Sequence, residues 1–403
     1  MKHASGVLVA LWALLALTGE GAAPGQGAGR EGAVPAAAPA GAQAPPFERT
    51  GPRRRVAPPA RRLSAAQLAG QRVVFAYEGP RPPRALLRRV AQGRAAGVVL
   101  FRRNLGSVGG LRRTLGRLQR ATRRSPVQLP LVVMVDQEGG PVRRLPGGPR
   151  RSAAAVGAIG SPSAAHRDGR AAGSALRAVG ANVDLAPVAD VCRPGSALER
   201  ERRCYGRRVG QVTRLAGAFA RGLRSRGVEA TLKHFPGFGG ARMNTDDAPV
   251  RIELPRGRLR NVDERPFATL APRAPLVMLS TAVYPSLDSR HPAALSRKVA
   301  IGELRRQLSF RGVTVSDALD TPAVARHGGP GRLAVLAVRA GTDIVLFGRG
   351  YRAGERAARA VADRLRSGAL RRRPFERAAT RVLRLRSRLA GVSRRRVRSN
   401  SGG

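Results

Sequence analysis

Lys233 and His234 stand side by side where an apolar run ends. The run, residues 229–232, is typical of a short buried strand, and the Pro-Gly-x-Gly turn at residues 236–239 directs the backbone away from it. A cation beside an imidazole can bind the hydroxyl groups of a sugar. The carboxyl end of a strand is also where α/β barrels hold their chemistry.

Polar residues end three further apolar runs in the same way. Asp136-Gln137-Glu138-Gly139-Gly140 follows residues 131–135, Asp190 follows residues 183–188, and Asp317 follows residues 312–316. The carboxyl ends of parallel strands meet at one mouth of a barrel, so we expect these side chains to surround one ligand. Taken alone, an Asp after a strand is also a turn former or helix cap, and for Asp190 both interpretations stay open.

Short apolar runs alternate with amphipathic, Arg-rich segments along the body of the chain. This alternation predicts βα units around a parallel sheet, and eight strands form a (β/α)8 barrel of the TIM type with a single catalytic domain. The predicted strands are 72–77, 96–101, 129–135, 182–187, 229–234, 276–280, 313–316 and 343–347. The predicted helices are 84–92, 108–124, 206–226, 297–309, 331–340, 352–367 and 375–389.

The chain has 403 residues and a formal net charge of +49, almost all from Arg, since Lys occurs only at positions 2, 233 and 298. Arg is spread over every predicted helix, and no aromatic residues interleave with it, which argues against a specific nucleic-acid partner. A basic nucleic-acid binder stays as a weaker hypothesis. Loose binding to anionic envelope polymers could still follow from this charge.

The N-terminal end of the chain predicts export. Met1-Lys2-His3, the apolar residues 6–17 and the small residues 19–23 indicate a signal peptide over residues 1–23, with an uncleaved anchor as the alternative and no other membrane span. Residues 24–62, rich in Ala, Pro, Gly and Arg, predict a disordered linker, and residues 393–403 a disordered basic tail. The barrel would occupy residues 63–392, in a protein that is secreted or associated with the cell envelope.

Cys192 and Cys204 are the chain's two cysteines, and they lie twelve positions apart. In an exported chain this spacing favours a disulfide. The alternative, a metal site, lacks further Cys or a nearby His.

Five segments together resemble family 3 glycoside hydrolases, and the nearest branch is similar to the single-domain β-N-acetylhexosaminidases. The resemblance covers roughly residues 63–389 in order. The segments are residues 96–104, 135–145, 182–191, 233–237 and 315–317.

The resemblance implies a (β/α)8 barrel and retaining hydrolysis through a covalent glycosyl-enzyme intermediate, with no metal or organic cofactor. Asp317 would be the nucleophile, because an ionised carboxylate can attack the anomeric carbon and stabilise its positive charge. The substrate-binding residues implied by motif match are Asp136, Arg144, Arg203, Lys233 and His234. For His234 a buried structural imidazole is the alternative, and for Asp317 a helix cap.

One loop departs from the family pattern. Phe238 replaces the first His of the Pro-Gly-His-Gly turn, and Asn244-Thr245-Asp246 stands where the hexosaminidases carry Asp-Ser-His, so the expected acid/base His is absent. Asp246 or Asp247 could transfer the proton instead, because partial desolvation and the adjacent like charge would raise a carboxyl pKa. Otherwise the protein cleaves only activated substrates, or hardly at all, with both Asp residues serving as turn formers.

The sequence therefore predicts an exported glycoside hydrolase whose partner is a carbohydrate, a terminal β-linked N-acetylhexosamine or a related β-glycoside. The competing hypothesis is a non-catalytic binder of glycans or of the cell envelope built on the same barrel.

Overall fold

Eight parallel strands close into a barrel, as predicted. The structure, a computed structural model, describes residues 59–399, with side chains through residue 391. All eight predicted strands are present, most of them shorter than the apolar runs that predicted them. They are β1 (Val73–Phe75), β2 (Gly97–Leu100), β3 (Val132–Val135), β4 (Val183–Asp184), β5 (Glu229–Phe235), β6 (Leu276–Leu279), β7 (Val313–Ala318) and β8 (Ile344–Leu346).

Each strand pairs with the strands that precede and follow it in the chain. Val74 of β1 lies opposite Gly97 of β2, and Thr231 of β5 opposite Leu276 of β6. Val73 opposite Val345 joins β1 to β8 and closes the barrel. Consecutive parallel pairing of this kind requires a crossover after every strand, and it places all eight carboxyl ends at one mouth.

Helices surround the sheet. The predicted helices between 84 and 367 all appear within a few residues of their predicted bounds, although the segment predicted at 297–309 is π-helical over Lys298–Gln307. The last predicted helix, 375–389, extends from Arg372 to Ser399. The α-helices of the described residues are α1 (Ala65–Gly70), α2 (Arg84–Ala91), α3 (Val108–Arg123), α4 (Ala153–Ile159), α5 (Pro162–Val179), α6 (Ala197–Arg200), α7 (Val209–Ser225), α8 (Arg256–Arg258), α9 (Arg265–Leu270), α10 (Pro330–Ala340), α11 (Gly350–Arg366) and α12 (Arg372–Ser399).

Helix α5 is absent from the sequence prediction, and its packing shows why. It buries mostly Ala and Gly against α7, so it lacks the contrast between large apolar and polar residues that identifies an amphipathic helix. A Cβ at Gly169 would lie 2.1 Å from the carbonyl oxygen of Phe219, and one at Gly222 2.2 Å from that of His166. The glycines therefore let the two helix backbones approach closely.

The last helix closes the end of the barrel opposite the mouth. Val382, Leu385 and Leu389 of α12 belong to the same buried cluster as the side chains inside the barrel, and each such buried side chain stabilises the fold by about 1.5–3 kcal/mol. Arg386 is buried and donates to the carbonyl oxygens of Leu129 and Pro130, just before β3. The helix is thus part of the barrel core.

Both predicted disordered segments are partly helical where they meet the barrel. Residues 60–62, placed in the linker, form a short 3-10 helix in which Ala60 is buried. Helix α12 continues to Ser399, through residues 393–399 where a disordered tail was predicted. The predicted signal peptide, the rest of the linker and residues 400–403 lie outside the described residues. No helix within residues 59–399 is long and apolar enough to cross a membrane.

Candidate active site

A cavity of about 410 Å³ lies at the mouth of the barrel, and the carboxyl ends of several strands line it. Asp136 follows β3, Lys233 and His234 lie on β5, and Asp317 lies on β7. All seven side chains predicted for catalysis or substrate binding line this one cavity: Asp136, Arg144, Arg203, Lys233, His234, Asp246 and Asp317.

Four charged side chains, Asp136, Glu138, Arg203 and Lys233, form what we call the charged floor of the cavity. The ammonium of Lys233 lies 2.7 Å from a carboxylate oxygen of Asp136 and 2.7 Å from one of Glu138. Arg203 donates to both oxygens of Glu138, at 3.0 and 2.9 Å. Each buried charge thus faces an opposite one, which offsets the cost of removing it from water.

The pKa values on the charged floor follow from these pairs. Burial alone would raise the pKa of Glu138, but Arg203 and Lys233 outweigh it and hold that pKa at about 2. Burial would lower the pKa of Lys233, but Asp136 and Glu138 together raise it. Both groups are therefore charged at neutral pH, and Lys233 presents a fixed cation to the cavity.

Asp184 of β4 lies below the charged floor, fully buried. Its Oδ1 accepts a hydrogen bond from the backbone N–H of Gln137 at 2.9 Å, while its Oδ2 has no partner among the described residues. Burial raises its pKa well above the usual value, and the negative charges of Asp136 and Glu138 act in the same direction.

His234 is oriented by Asp190, the residue whose role the sequence left open. The Nδ1 of His234 lies 2.8 Å from Oδ2 of Asp190, and the backbone N–H groups of His234 and Phe238 donate to the same carboxylate. Asp190 therefore fixes both the imidazole and the turn that follows it. The side chain of His234 is 8% exposed and lines the cavity, so it is partly buried and still within reach of a ligand.

Two arms of chain carry the remaining residues. The first arm, residues 191–206, contains Arg203 and Glu201, and a disulfide joins Cys192 to Cys204 within it. Glu201 accepts from Arg203 at 2.9 Å and from the side-chain amide of Asn244 at 3.1 Å. Asn244 belongs to the second arm, residues 236–247, so Glu201 links the charged floor to the loop above it.

That loop, residues 244–247, is called the rim here. Asp246 is exposed there, and its backbone N–H donates to the side-chain oxygen of Asn244 at 3.1 Å. The surrounding protein still removes part of its hydration, and this desolvation, with the charge of Asp317 next in size, raises the pKa of Asp246 to about 6. A carboxyl group with such a pKa can donate a proton near neutral pH and take one back.

Asp317 lies half-buried on β7, with one oxygen accepting from the backbone N–H of Ala318 at 2.8 Å. Arg144 is a second group poised for a ligand. Its guanidinium Nε is buried and has no hydrogen-bond partner among the described residues.

Residues 63–385 match the family model described as the glycosyl hydrolase family 3 N-terminal domain. The chain belongs to this family. A protein of Arthroderma benhamiae named as an uncharacterized secreted glycosyl hydrolase is 38% identical over 343 residues, which cover 83% of this chain and 97% of the relative.

Two solved structures resemble the chain closely. The β-N-acetylglucosaminidase of Paenibacillus sp. has a TM-score of 0.77 and 32% identity, and the match covers 81% of this chain and 63% of that one. The β-N-acetylhexosaminidase of Beutenbergia cavernae has a TM-score of 0.73 and 31% identity, with coverage of 80% and 98%. These relatives confirm the predicted family, the barrel and the membership in a group of glycoside hydrolases.

Three residues of this family 3 site were not among the predicted site residues. Glu138 belongs to a recognised motif, but its partners lie 65 and 95 positions further along the chain. Asp190 was weighed as a turn former and in fact orients His234. Glu201 lies two residues before Arg203 in a charged stretch, and nothing in its local pattern separates it from a surface residue.

Proposed function

We propose that the chain is a retaining glycosidase that releases terminal β-linked N-acetylhexosamine or a related β-glycoside, with Asp317 as nucleophile and Asp246 as acid/base. The observation that carries the proposal is the pairing of these two carboxyl groups in one cavity, where the charge of Asp317 helps to raise the pKa of Asp246 to about 6. A retaining glycosidase requires one carboxylate as nucleophile and a second carboxyl group that can donate a proton.

The first step would form one bond and break one. A carboxylate oxygen of Asp317 attacks the anomeric carbon while the glycosidic C–O bond breaks, and Asp246 gives its proton to the departing oxygen. In the second step Asp246 takes a proton from water, the water oxygen attacks the same carbon, and the ester bond to Asp317 breaks. The carboxyl groups return to their starting states, and the product keeps the β configuration.

The charged floor would hold the sugar during both steps. Lys233 and Asp136 offer a donor and an acceptor at the base of the cavity, and the unpartnered Nε of Arg144 offers a further donor. Such groups bind sugar hydroxyls or an acetamido oxygen, and their own pairing keeps them in place before the ligand arrives. The names of the two similar solved structures support an N-acetylhexosamine.

Replacing the nucleophile tests the proposal. Asp317→Asn should lower kcat/KM on an aryl β-N-acetylglucosaminide by at least about 10³-fold, because no covalent intermediate can form. The matched control is Asp247→Asn, which removes a carboxylate from the rim at a position that does not line the cavity. Full activity of Asp317→Asn, or an α-configured first product by NMR, would refute the assignment.

A second candidate function is a glycan or envelope binder with little turnover. The exposure of Asp246 favours it, since a solvated acid is a weaker proton donor to a poor leaving group. Wild-type protein that binds N-acetylglucosamine but hydrolyses neither the aryl β-N-acetylglucosaminide nor the corresponding β-glucoside would establish this function instead.

The protein would act outside the cytoplasm. The sequence of residues 1–23 predicts a signal peptide, and the relative from Arthroderma benhamiae is named as secreted. We therefore propose a secreted or envelope-associated enzyme.

A further inference from the structure

A groove of about 1020 Å³ runs along α3, separate from the catalytic cavity. Five arginines line it: Arg81, Arg112, Arg113, Arg117 and Arg120. All five are exposed, and within residues 59–399 none of their guanidinium groups makes an ion pair or a hydrogen bond. Unpaired cations in a concave surface concentrate positive potential there.

The sequence around the groove contains no acidic residue to neutralise it. Between Gly79 and Val135 there are thirteen Arg and no Asp or Glu. Elsewhere on the helical layer Arg side chains do find carboxylates, as Arg151 does with Asp168 and Arg372 with Glu376. The groove thus combines a concave shape with five arginines that have no carboxylate partner among the described residues.

The start of α3 adds to the positive potential. Ser107, whose side chain caps the helix by accepting from the backbone N–H of Gly110, lines the groove together with Gly110 itself. The first turn of this 16-residue helix carries no acidic side chain, and its free N–H groups contribute a partial positive charge. Arg113, Arg117 and Arg120 then continue the charge along one face, at spacings of four and three residues.

The groove begins next to the mouth of the barrel. The loop after β2 lines both spaces, since Phe101 and Arg103 contact the catalytic cavity while Gly106 contacts the groove. Buried Asn104 in this loop donates to the carbonyl oxygens of Tyr77 and Gly79, so the loops after β1 and β2 are held together. A long chain with one end in the cavity could therefore continue along α3.

The lining of the groove indicates which polyanion fits. Besides its arginines it has an apolar floor that includes Pro80, Leu115 and Val179, and it has no aromatic side chain on which a base could stack. Guanidinium groups bind carboxylates in pairs of parallel hydrogen bonds. We propose that this groove binds an acidic polysaccharide, a glycan with carboxylate groups along its length, as an extension of the catalytic cavity. The choice of a glycan rests on the proposed function; the binding of a polyanion does not.

Equilibrium binding of an oligogalacturonate to the full chain tests this inference. The groove variant is Arg113→Gln/Arg117→Gln/Arg120→Gln. The control variant is Arg352→Gln/Arg356→Gln/Arg359→Gln, which removes the same charge at the same spacing from exposed positions on α11. We expect the groove variant to bind roughly tenfold or more weakly than the wild type. The slope of its log affinity against log salt concentration should be smaller by about three. The control variant should keep most of the wild-type affinity and most of the wild-type slope.

Each other outcome contradicts the inference. Equal losses of affinity in both variants would mean that overall charge accounts for the binding. No loss of affinity in either variant would mean that the oligogalacturonate binds outside the groove. A single-stranded oligodeoxynucleotide of equal charge that binds more tightly, and loses its binding in the groove variant, would make the occupant a nucleic acid. Melting temperatures check that both variants fold, and because binding is the readout, an inactive wild type would leave the result interpretable.

Discussion

The charged floor and the rim occupy the same cavity, yet they are built in opposite ways. On the floor, Lys233 and Glu138 are nearly fully buried, and each charge has an opposite partner within 3.0 Å. On the rim, Asp246 is exposed, and its carboxylate makes no hydrogen bond within the described residues. Pairing fixes a charge for binding, whereas an unpaired, partly desolvated carboxyl group keeps a pKa suited to moving a proton.

This comparison predicts that substitutions on the floor change stability as well as activity. Lys233→Met removes the cation shared by half-buried Asp136 and buried Glu138, so we expect the free energy of unfolding to fall by about 3–5 kcal/mol. Sugar binding should be lost with it. Denaturant unfolding at neutral pH measures the first effect, and a binding titration with N-acetylglucosamine the second.

The matched control is Lys298→Met, at the only other lysine within residues 59–399, which is exposed. It should change the free energy of unfolding by less than about 0.5 kcal/mol. A Lys233→Met protein as stable as this control would show that the floor is not held by its charge pairs.

On the rim, a substitution should change activity alone. Asp246→Asn removes the proposed proton donor and should lower kcat/KM by about 10²–10⁴-fold on substrates with poor leaving groups, but far less on activated aryl glycosides. Its melting temperature should match that of the wild type, because the carboxylate supports no contact. Asp247→Asn, one residue further, should leave both rates close to wild type.

The pH profile gives Asp246 a signature of its own. A general acid works only while it is protonated, so kcat/KM on poor leaving groups should fall as the pH rises through about 6, the pKa of Asp246. In Asp246→Asn that alkaline limb should disappear. If it persists unchanged, another group donates the proton.

The smallest effect is expected where the two regions meet. Glu201 bonds to Arg203 on the floor and to Asn244 on the rim, and it is partly exposed. Glu201→Gln should weaken both contacts and raise the activation free energy by about 0.5–1.5 kcal/mol. The effect should lie mainly in kcat, because the rim would lose its orientation while the floor still binds sugar. Glu199→Gln, which alters an exposed pair with Arg207, is the control. A change confined to KM would contradict a positioning role for Glu201.

The sequence predicted the floor better than the rim because the central residue of the floor can be recognised from its local sequence. Lys233 is one of only three lysines and follows an apolar run, and its burial at the end of strand β5 requires partners of opposite charge. The strands themselves were readable, since each is a short run of β-branched and other apolar residues. Helix α5 was not, because its close packing depends on Gly and Ala, which leave little apolar contrast.

The partners themselves could not be predicted from local patterns. Glu138 meets Arg203 only because β3 and the arm after β4 reach the same mouth, and Arg203 lies 65 positions away. The pKa of Asp246 depends in part on Asp317, which belongs to a strand two crossovers later. Contacts over such separations follow from the closed barrel, and no short window of sequence contains them.

The two arms around the cavity are also joined at several points. The backbone N–H of Arg193 donates to the carbonyl of Gly239, that of Ala197 donates to the carbonyl of Ala241, and the Cys192–Cys204 disulfide fastens the first arm to itself. The two backbone hydrogen bonds and the Asn244–Glu201 bond act in parallel, so swinging the second arm outward would require breaking all three, while the disulfide keeps the first arm in shape. The enzyme would then admit substrate into a site that is already assembled, and turnover would be limited by entry and exit through a fixed opening more than by the movement of a lid.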